Sequence, residues 1–391
     1  MGVVVLLAAT LTLVGALLSC ASSLTLRAGA SGCHVHGRYE ACFSMPQSHG
    51  GSDHAVIDHA VAMFNRAGAG DTIRIAMFRW DLARPADALI AAQKRGAKVE
   101  LVVDHDVLTK PAGHHLVTAI ERNDPAPHNV VVCTGSCLPW AGTGPAPPSQ
   151  NINHLKLFLF DIGGVRSVAF TSSNLEIRQV HQVNSWLRVT DPKVYAFQLA
   201  YFRRLQAQSW LGWTDANKSQ LGDPSTFVYP RHRDPVIQTL DRVRCTPKAH
   251  RVDVLWAVIQ RYDVRQRLGV LDRQGCTVRI VTTRDLVENW LQARVRLRDG
   301  SHIDIPNNRV RTLLVHDKGI TIHAMVGGRV RWLVLTGTSN ATCGGLLYND
   351  EDMVRLYGRW AVQQYGAHFD EVYRHAHQSR VRTMPVQAHC H

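Results

Sequence analysis

The apolar residues of this chain change their spacing repeatedly, as they do where helices and strands alternate. Residues 53–66 carry apolar positions at helical intervals, and the apolar run at 72–78 predicts a strand. A helix is predicted at 85–95, with Pro85 in its first turn, and a mostly β-branched strand is predicted at 99–103. This alternation predicts an α/β fold.

The second half of the chain repeats this order. Strands are predicted at 252–258 and 277–281, with a helix at 265–274 between them. Gly96 follows the helix of the first half and Gly275 follows that of the second, in the same register before the next strand. The repeat predicts two similar lobes, each a mixed β-sheet flanked by helices, with a pseudo-twofold axis and a cleft between them.

Each half then continues with two strands joined by a glycine pair. The first pair of strands is predicted at 154–160 and 166–171 around Gly163-Gly164. The returning strand of the second half is predicted at 330–336, after Gly327-Gly328. An apparent helix closes each half, and these helices contain Ala200-Tyr201-Phe202 and Ala367-His368-Phe369.

The repeat also suggests domain boundaries. The lobes are assigned to residues 50–212 and 252–380. Residues 213–251 are rich in proline, charged and polar residues, so they are predicted to connect the lobes. Because one chain would supply both halves of the site, a monomer is expected.

The composition is that of a folded protein with an anionic partner. The chain has 391 residues, of which 45% are hydrophobic and 19% are charged. Its formal net charge is +13, with 21 histidines besides. Such a charge favours phospholipid head groups, nucleic acid or phosphorylated substrates, but it does not choose among them.

Residues 1–21 are predicted to be a signal peptide. The apolar run at 3–18 is shorter than the ~20 residues of a membrane span, and small residues follow it. A secreted, extracellular protein is therefore expected. Leu17-Leu18-Ser19-Cys20 also resembles a bacterial lipobox, so a lipid anchor at the cell envelope through Cys20 is the alternative.

The cysteines agree with export. Nine are present, and the eight that would remain after cleavage favour disulfides, although some could be buried thiols. The proposed pairs are Cys33–Cys42, Cys133–Cys137, Cys245–Cys276 and Cys343–Cys390. A metal site is not predicted, since Cys133 and Cys137 have no second pair at zinc-like spacing.

A short motif occurs at corresponding places in the two halves. His154 and Lys156 are two residues apart on a predicted strand, so their side chains share one face. His316 and Lys318 have the same spacing. Each pair is followed by a Ser/Thr-rich segment that ends in asparagine, namely Thr171-Ser172-Ser173-Asn174 and Gly337-Thr338-Ser339-Asn340.

These residue types suit attack on a phosphodiester. The lysines can neutralise the non-bridging oxygens, and the asparagines can donate hydrogen bonds to them. One histidine can form a covalent phosphohistidine. The other can protonate the leaving alcohol and then activate water, because the pKa of histidine lies near neutrality. No metal or other cofactor is needed for these steps.

The first motif, His154-x-Lys156-x4-Asp161 followed by residues 171–174, resembles the HxKx4D…GSxN motif of the phospholipase D superfamily. The second, His316-x-Lys318 followed by residues 337–340, resembles its second copy. The resemblance covers the chain from about residue 50 to 380, and it implies the two-lobed fold of that superfamily.

The resemblance also implies roles for these residues. His154 and His316 would be nucleophile and acid/base, and His154 is the expected nucleophile because its motif is more complete. Asp161 would be the orienting carboxylate. The implied ligands of the substrate phosphate are Lys156, Lys318, Asn174, Asn340 and Ser172.

The second copy departs from the family pattern. His323 stands where the aspartate is expected, and Asp317, Asp350 and Glu351 are the candidates to supply that carboxylate instead. Thr171 and Thr338 replace a glycine and a serine of the two GSxN segments.

Three functions follow as hypotheses. The first is a phospholipase D-like enzyme that hydrolyses phospholipids to phosphatidic acid and a free alcohol at a membrane surface. Tryptophans that would suit such an interface are Trp80, Trp140, Trp210 and Trp213. The second is a secreted nuclease of the same superfamily. The third is a degenerate member that binds an anionic ligand without catalysis, for which His323 is the main argument.

Overall fold

The computed structural model describes most of the chain outside its N-terminal segment. The described residues are 32–141, 151–283, 295–296, 302–303, 309–378 and 390. The predictions for residues 1–21, including lipid attachment at Cys20, lie outside them.

The first sheet is mixed and has eight strands in the order β1-β2-β8-β7-β6-β3-β4-β5. Strands β3, β4 and β5 are parallel, and the other pairs are antiparallel. The strands are β1 (Gly32–His36), β2 (Tyr39–Ser44), β3 (Thr72–Met77), β4 (Lys98–Asp104), β5 (Val130–Cys133), β6 (Lys156–Ile162), β7 (Val165–Thr171) and β8 (Asn184–Val189).

The second sheet repeats this plan with β12, β13, β17, β18 and β19 as its centre. A separate two-stranded pair is formed by β14 and β15. The strands are β9 (Ser219–Gln220), β10 (Ser225–Tyr229), β11 (Val243–Arg244), β12 (His250–Trp256), β13 (Thr277–Thr282), β14 (Val295–Arg296), β15 (His302–Ile303), β16 (Val310–Thr312), β17 (Lys318–Val326), β18 (Arg329–Gly337), β19 (Glu351–Tyr357) and β20 (His377–Gln378).

Helices cover the sheets. They are α1 (Ala55–Arg66), α2 (Ala83–Lys94), α3 (Pro111–Asn123), α4 (Pro192–Ala207), α5 (Pro235–Leu240), α6 (Tyr262–Arg273) and α7 (Arg359–His375). None of the helices in the described part of the chain is long and apolar enough to cross a membrane.

The glycine pairs form the predicted hairpin turns. Gly163 and Gly164 join β6 to β7 with φ of 58° and 76°, and Gly327 and Gly328 join β17 to β18 with φ of 60° and 82°. Two consecutive residues of positive φ match the right-handed twist of a two-residue hairpin. This turn therefore fixes the register of both strand pairs that carry the predicted motifs.

One cluster of buried apolar side chains extends across the boundary between the two lobes. Helix α4 packs on the first sheet and reaches β10 of the second, while α7 packs on the second sheet and reaches β2 of the first. Buried side chains from both sheets and from these helices form a single cluster, which includes Leu157, Leu159, Tyr201, Val334, Val354 and Tyr365. The predicted fold class, two similar α/β lobes about a pseudo-twofold axis, is confirmed.

Two edge segments extend the sheets beyond the predicted elements. Strands β1 and β2 precede residue 50 and join the first sheet at β8. Strands β9, β10 and β11 lie within residues 213–251, the predicted connection, and they pair within the second sheet. Strand β10 lies beside β19 as β2 lies beside β8. Short edge strands in polar sequence carry little periodic signal.

The four predicted disulfides are present: Cys33–Cys42, Cys133–Cys137, Cys245–Cys276 and Cys343–Cys390. Ligand atoms of Glu40 and His59 lie within 4.8 Å of the sulfurs of the first of these bonds. Because Cys33 and Cys42 are bonded to each other, their sulfurs are not thiolate ligands.

Candidate active site between the lobes

Each motif histidine is anchored to the opposite lobe. The backbone N–H of His154 donates to the carbonyl of Asp350 at 3.1 Å, and that of His316 donates to the carbonyl of Val183 at 2.8 Å. Asp350 and Val183 directly precede β19 and β8, and isolated β-bridges join Asp350 to Asn153 and Val183 to Val315 across the boundary between the lobes. The two histidines, about 160 residues apart in sequence, are thereby brought to one place.

The two lysines lie beside the histidines. Lys156 donates from Nζ to the carbonyl of His154 at 2.6 Å, and Lys318 makes the same bond to the carbonyl of His316. Both lysines are fully buried. Burial lowers the pKa of Lys156 to about 8 and that of Lys318 well below its usual range. Burial thus disfavours the charged form of both amines, and an anion bound beside them would favour it.

The four residues are close enough to influence one another. After burial, the largest causes that lower the pKa of His316 are Lys318, Lys156 and His154, in that order. The pKa of His154 is lowered by burial and then by Lys156 and Lys318. An anionic phosphate would relieve this mutual repulsion, so the arrangement favours a phosphate in the cleft.

A carboxylate holds the ring of His154. Nδ1 of His154 lies 2.8 Å from Oε1 and 2.9 Å from Oε2 of Glu351. Because a carboxylate can only accept, Nδ1 carries the proton and Nε2 has its lone pair free. Glu351 is completely buried, and this burial raises its pKa to about 7, although Lys156 acts in the opposite direction.

His316 has a weaker partner. Its Nδ1 donates to the backbone carbonyl of Ser172 at 2.7 Å. The residue equivalent to Glu351 is Asn184, since Asn184 follows Val183 as Glu351 follows Asp350. The amide of Asn184 donates to the carbonyls of Gln179 and Gln182 instead. The two histidines therefore differ, because the partner of His154 is a carboxylate, whereas that of His316 is a neutral backbone carbonyl.

The structure does not bring Asp161 to the histidines. Asp161 ends β6 beside the hairpin and pairs with Arg166 at 2.9 Å. Seven residues of extended chain separate it from His154, which corresponds to about 23 Å. His323 in the second copy stacks on Trp332, with ring centroids 3.7 Å apart. The exchange of aspartate for histidine therefore removes no carboxylate from this site.

The other acidic candidates bind elsewhere. Asp317 accepts from the hydroxyl of Ser185 and lies 3.1 Å from Nε2 of His368. Asp350 accepts from the backbone N–H groups of Cys137 and Leu138. Of the three carboxylates considered from the sequence, Glu351 is the one that contacts a motif histidine.

The predicted phosphate ligands are only partly free. Asn174 donates one N–H of its amide to Glu176 at 2.9 Å and keeps a second N–H, while its Oδ1 is buried without a hydrogen-bond partner among the described residues. Oδ1 of Asn340 also has none. Ser172 donates its hydroxyl proton to Asn184 at 3.0 Å, so it contributes its carbonyl, which holds His316.

The comparison with known families agrees with this geometry. The family model described as "Cardiolipin synthase, PLD-like domain" matches residues 61–206 and 243–373, which is more than half of the chain. The chain belongs to the phospholipase D superfamily. A search of curated protein sequences found no match.

Two solved structures resemble this member of the superfamily. Phosphatidylserine synthase from Haemophilus influenzae matches with a TM-score of 0.58 at 10% identity, over 88% of each chain. Polyphosphate kinase from Porphyromonas gingivalis matches with a TM-score of 0.53 at 12% identity, over 85% of this chain and 52% of that one. The chain thus spans about half the length of the kinase. At these identities the likeness is one of fold.

Sequence reasoning missed two residues of this phospholipase D-like cleft. The ring of Phe78 lies 5.1 Å from that of His154, and the guanidinium of Arg79 stacks over Phe78 at 4.6 Å. Both follow the end of β3. A charged residue directly after a buried strand of an α/β sheet was the signal that could have found Arg79.

The pKa values predict a narrow bell-shaped profile of kcat/KM against pH. Activity should fall below pH of about 7, because protonation of Glu351 removes the negative charge that supports His154. It should fall again above about 8, because Lys156 then loses the positive charge that binds phosphate. Steady-state rates on a soluble phosphodiester at constant ionic strength test this. A flat profile between pH 5 and 9 would contradict it.

Proposed function

We propose that the protein is a phospholipase D-like phosphodiesterase that hydrolyses phospholipids to phosphatidic acid and a free alcohol. One observation carries this proposal: two histidines from the two lobes meet beside two buried lysines, and only His154 is bonded to a carboxylate. That asymmetry suits a reaction in which the histidines have different tasks.

In the first step, Nε2 of His154 attacks phosphorus and the bond from phosphorus to the alcohol oxygen breaks. The bound phosphate offsets the positive charges that lower the pKa of His316, so this histidine can carry a proton, and its imidazolium gives that proton to the alcohol oxygen, which leaves as a neutral alcohol. The phosphorylated His154 becomes positively charged, and the carboxylate of Glu351 stabilises it through Nδ1–H.

In the second step, neutral His316 takes a proton from water, and the water oxygen attacks phosphorus. The bond between phosphorus and Nε2 breaks, which releases phosphatidic acid and returns both histidines to their starting states. Lys156 and Lys318 offset the charge on the non-bridging oxygens in both steps, and the amide groups of Asn174 and Asn340 donate hydrogen bonds to the same oxygens.

Apolar residues beside the site support a lipid substrate. Ile177 and Leu314 are 49% and 42% exposed, and they lie three residues after Asn174 and two before His316. Such side chains would suit a membrane interface. The four tryptophans considered from the sequence fit this role less well, because Trp80 is fully buried and the others pack on neighbouring side chains or donate to backbone.

The disulfides and the charge support secretion and contact with anionic membranes. Four disulfides are typical of exported proteins. The net charge of +13 would attract an anionic surface. The protein is therefore proposed to be extracellular, or anchored at the cell envelope through Cys20, and to act as a monomer.

A nuclease is the second candidate, since the same charge would suit a phosphate backbone. The non-catalytic hypothesis loses its main argument, because His323 stacks on Trp332 at the far end of β17, away from His316.

The substrate class can be tested with purified protein and a His154→Ala control. Release of choline from phosphatidylcholine vesicles, lost in the variant, is the expected result. Cleavage of plasmid DNA without lipid turnover would contradict the proposal.

Excess EDTA is expected to leave the activity intact, because lysines supply the positive charge. Strong inhibition would contradict the metal-free steps.

A further inference from the structure

The middle residue of the second motif is a buried carboxylate. Asp317 lies between His316 and Lys318, directly before β17, and its side chain is 3% exposed. Leu155, which is also buried, occupies this place in the first motif. Because a carboxylate is costly to remove from water unless polar groups bind it, the contacts of Asp317 indicate what it does.

Asp317 contacts both lobes. The hydroxyl of Ser185, in β8 of the first lobe, donates to its Oδ1. Nε2 of His368, in α7 of the second lobe, lies 3.1 Å from its Oδ2. Both partners are buried, and the ring of His368 stacks on that of Phe43 in β2, with centroids 4.5 Å apart. The carboxylate therefore ties the segment that carries His316 and Lys318 to the first lobe.

Ser185 connects this carboxylate to the ring of His316. The backbone N–H of Ser185 donates to Oγ of Ser172 at 3.0 Å, and its carbonyl accepts from the backbone N–H of Ser172 at 3.0 Å. The carbonyl of Ser172 accepts from Nδ1 of His316 at 2.7 Å. Since Asp317 follows His316 in the chain, the four residues form a closed ring of hydrogen bonds and covalent bonds. Such a ring restricts the orientation of the imidazole.

The charge of Asp317 also acts on Lys318. The two residues are adjacent and buried, so salt and water screen their attraction weakly. The other titratable groups near this amine among the described residues are His154, Lys156, His316 and Glu351. Burial and then Lys156 lower the pKa of Lys318, whereas Glu351 and Asp317 raise it. Asp317 thus favours the cationic amine, which is the form that binds phosphate.

We propose that Asp317 is a positioning residue for the second half of the site. Through Ser185 it fixes the peptide group that orients His316, and through its charge it keeps Lys318 cationic. This rests on the proposed function and deepens it, because it assigns a supporting carboxylate to the second motif. His154 is bonded directly to Glu351, so the two histidines are supported in different ways.

Ser185→Ala tests the positioning of His316. The change removes the hydroxyl that binds Asp317 and leaves the charge of Asp317 in place. On bis(p-nitrophenyl) phosphate we expect kcat to fall about tenfold, as for the loss of one hydrogen bond to a charged group, because the second step needs His316 as base. The value of kcat/KM should change little, since p-nitrophenol leaves without an acid. Equal losses in kcat and kcat/KM would overturn the proposal.

Asp317→Asn tests the charge. Asparagine keeps the shape and can still accept from Ser185, but it does not favour a cation at Lys318. Calorimetry with inorganic phosphate at pH 8, in the His154→Ala background where no phosphoenzyme forms, should show binding weakened by about tenfold. The basic limb of the kcat/KM profile should move to lower pH, because loss of the carboxylate lowers the pKa of Lys318. An unchanged affinity with an unchanged limb would overturn the proposal.

Asp253→Asn is the matched control. Asp253 is another buried carboxylate of the second lobe, 1% exposed, and it pairs with Arg251 and Arg279. Its loss should lower the Tm, as that of Asp317 should, because each change leaves buried partners without their charge. It should alter neither phosphate binding nor the basic limb. Equal effects in both variants would mean that lost stability causes them, which overturns the proposal.

Failure of the proposed function gives a different result. If the wild type cleaves neither phospholipid nor bis(p-nitrophenyl) phosphate, that function fails, while the ratio of phosphate affinities with and without Asp317→Asn still decides the role of Asp317. A cleft that binds no phosphate would overturn the proposal as well. If Asp317→Asn does not fold, Ser185→Ala, which removes one oxygen, still decides whether Asp317 acts on His316.

Discussion

His154→Ala is expected to lower kcat by more than about a thousandfold, because the variant has no nucleophile to form the phosphoenzyme. His154 is the better nucleophile of the two since Glu351 holds its Nδ1–H and stabilises the charge that develops on the ring. Steady-state rates on bis(p-nitrophenyl) phosphate measure the loss. Unfolding curves of the variant show whether the fold is intact, because the ring is only 7% exposed and its loss removes a hydrogen-bond partner of the buried Glu351.

His316→Ala separates the two roles. p-Nitrophenol is a good leaving group that needs no acid, so the first step should still proceed in this variant. The second step should stall without a base. We expect a burst of about one p-nitrophenol per enzyme, with a matching mass increase on the peptide that contains His154. A burst in His154→Ala and none in His316→Ala would assign the nucleophile to His316.

Glu351→Gln is the second substitution for which we expect a large effect. It should lower kcat by about 10²–10⁴-fold with little change in KM. Glutamine keeps the shape and can still accept from Nδ1, but it cannot offset the charge of phosphorylated His154. The acidic limb of the pH profile should disappear with it, because that limb reports the pKa of Glu351, about 7. Rates between pH 5 and 9 measure both effects.

The control for this change is Glu371→Gln on α7. Glu371 also pairs with a histidine, lying 3.0 Å from Nε2 of His375, but its other partners among the described residues are Ser48 and Arg374 and it contacts neither motif histidine. The control should change neither kcat nor the profile. An acidic limb that persists in Glu351→Gln would show that another group controls it.

The sequence predicted most of the central elements because their apolar spacing is regular. Strands β3, β4, β12 and β13 lie within two residues of the predicted bounds, and both glycine turns are where they were expected. Helix α3 and the edge strands were missed. Helix α3 does bury five residues of one face, whereas edge strands such as β9, with two residues, are too short to show a period.

The residues that hold the motif histidines in place were harder to predict than the histidines and lysines themselves. The spacing of His154 and Lys156 is local, since two residues of one strand must share a face. The partner of His154 is not local, because Glu351 lies on β19 of the other lobe. Asp161 was chosen for its place in a motif, yet an extended strand carries it away from the histidines.

The sequence by itself determined the duplicated α/β plan, the family resemblance and the pairs of histidine and lysine, because each depends on spacing within one strand or on repetition along the chain. Only the tertiary structure decided which carboxylate holds His154 and that His316 is held by a backbone carbonyl. These contacts join residues far apart in sequence, and their geometry is set by how the two sheets pack.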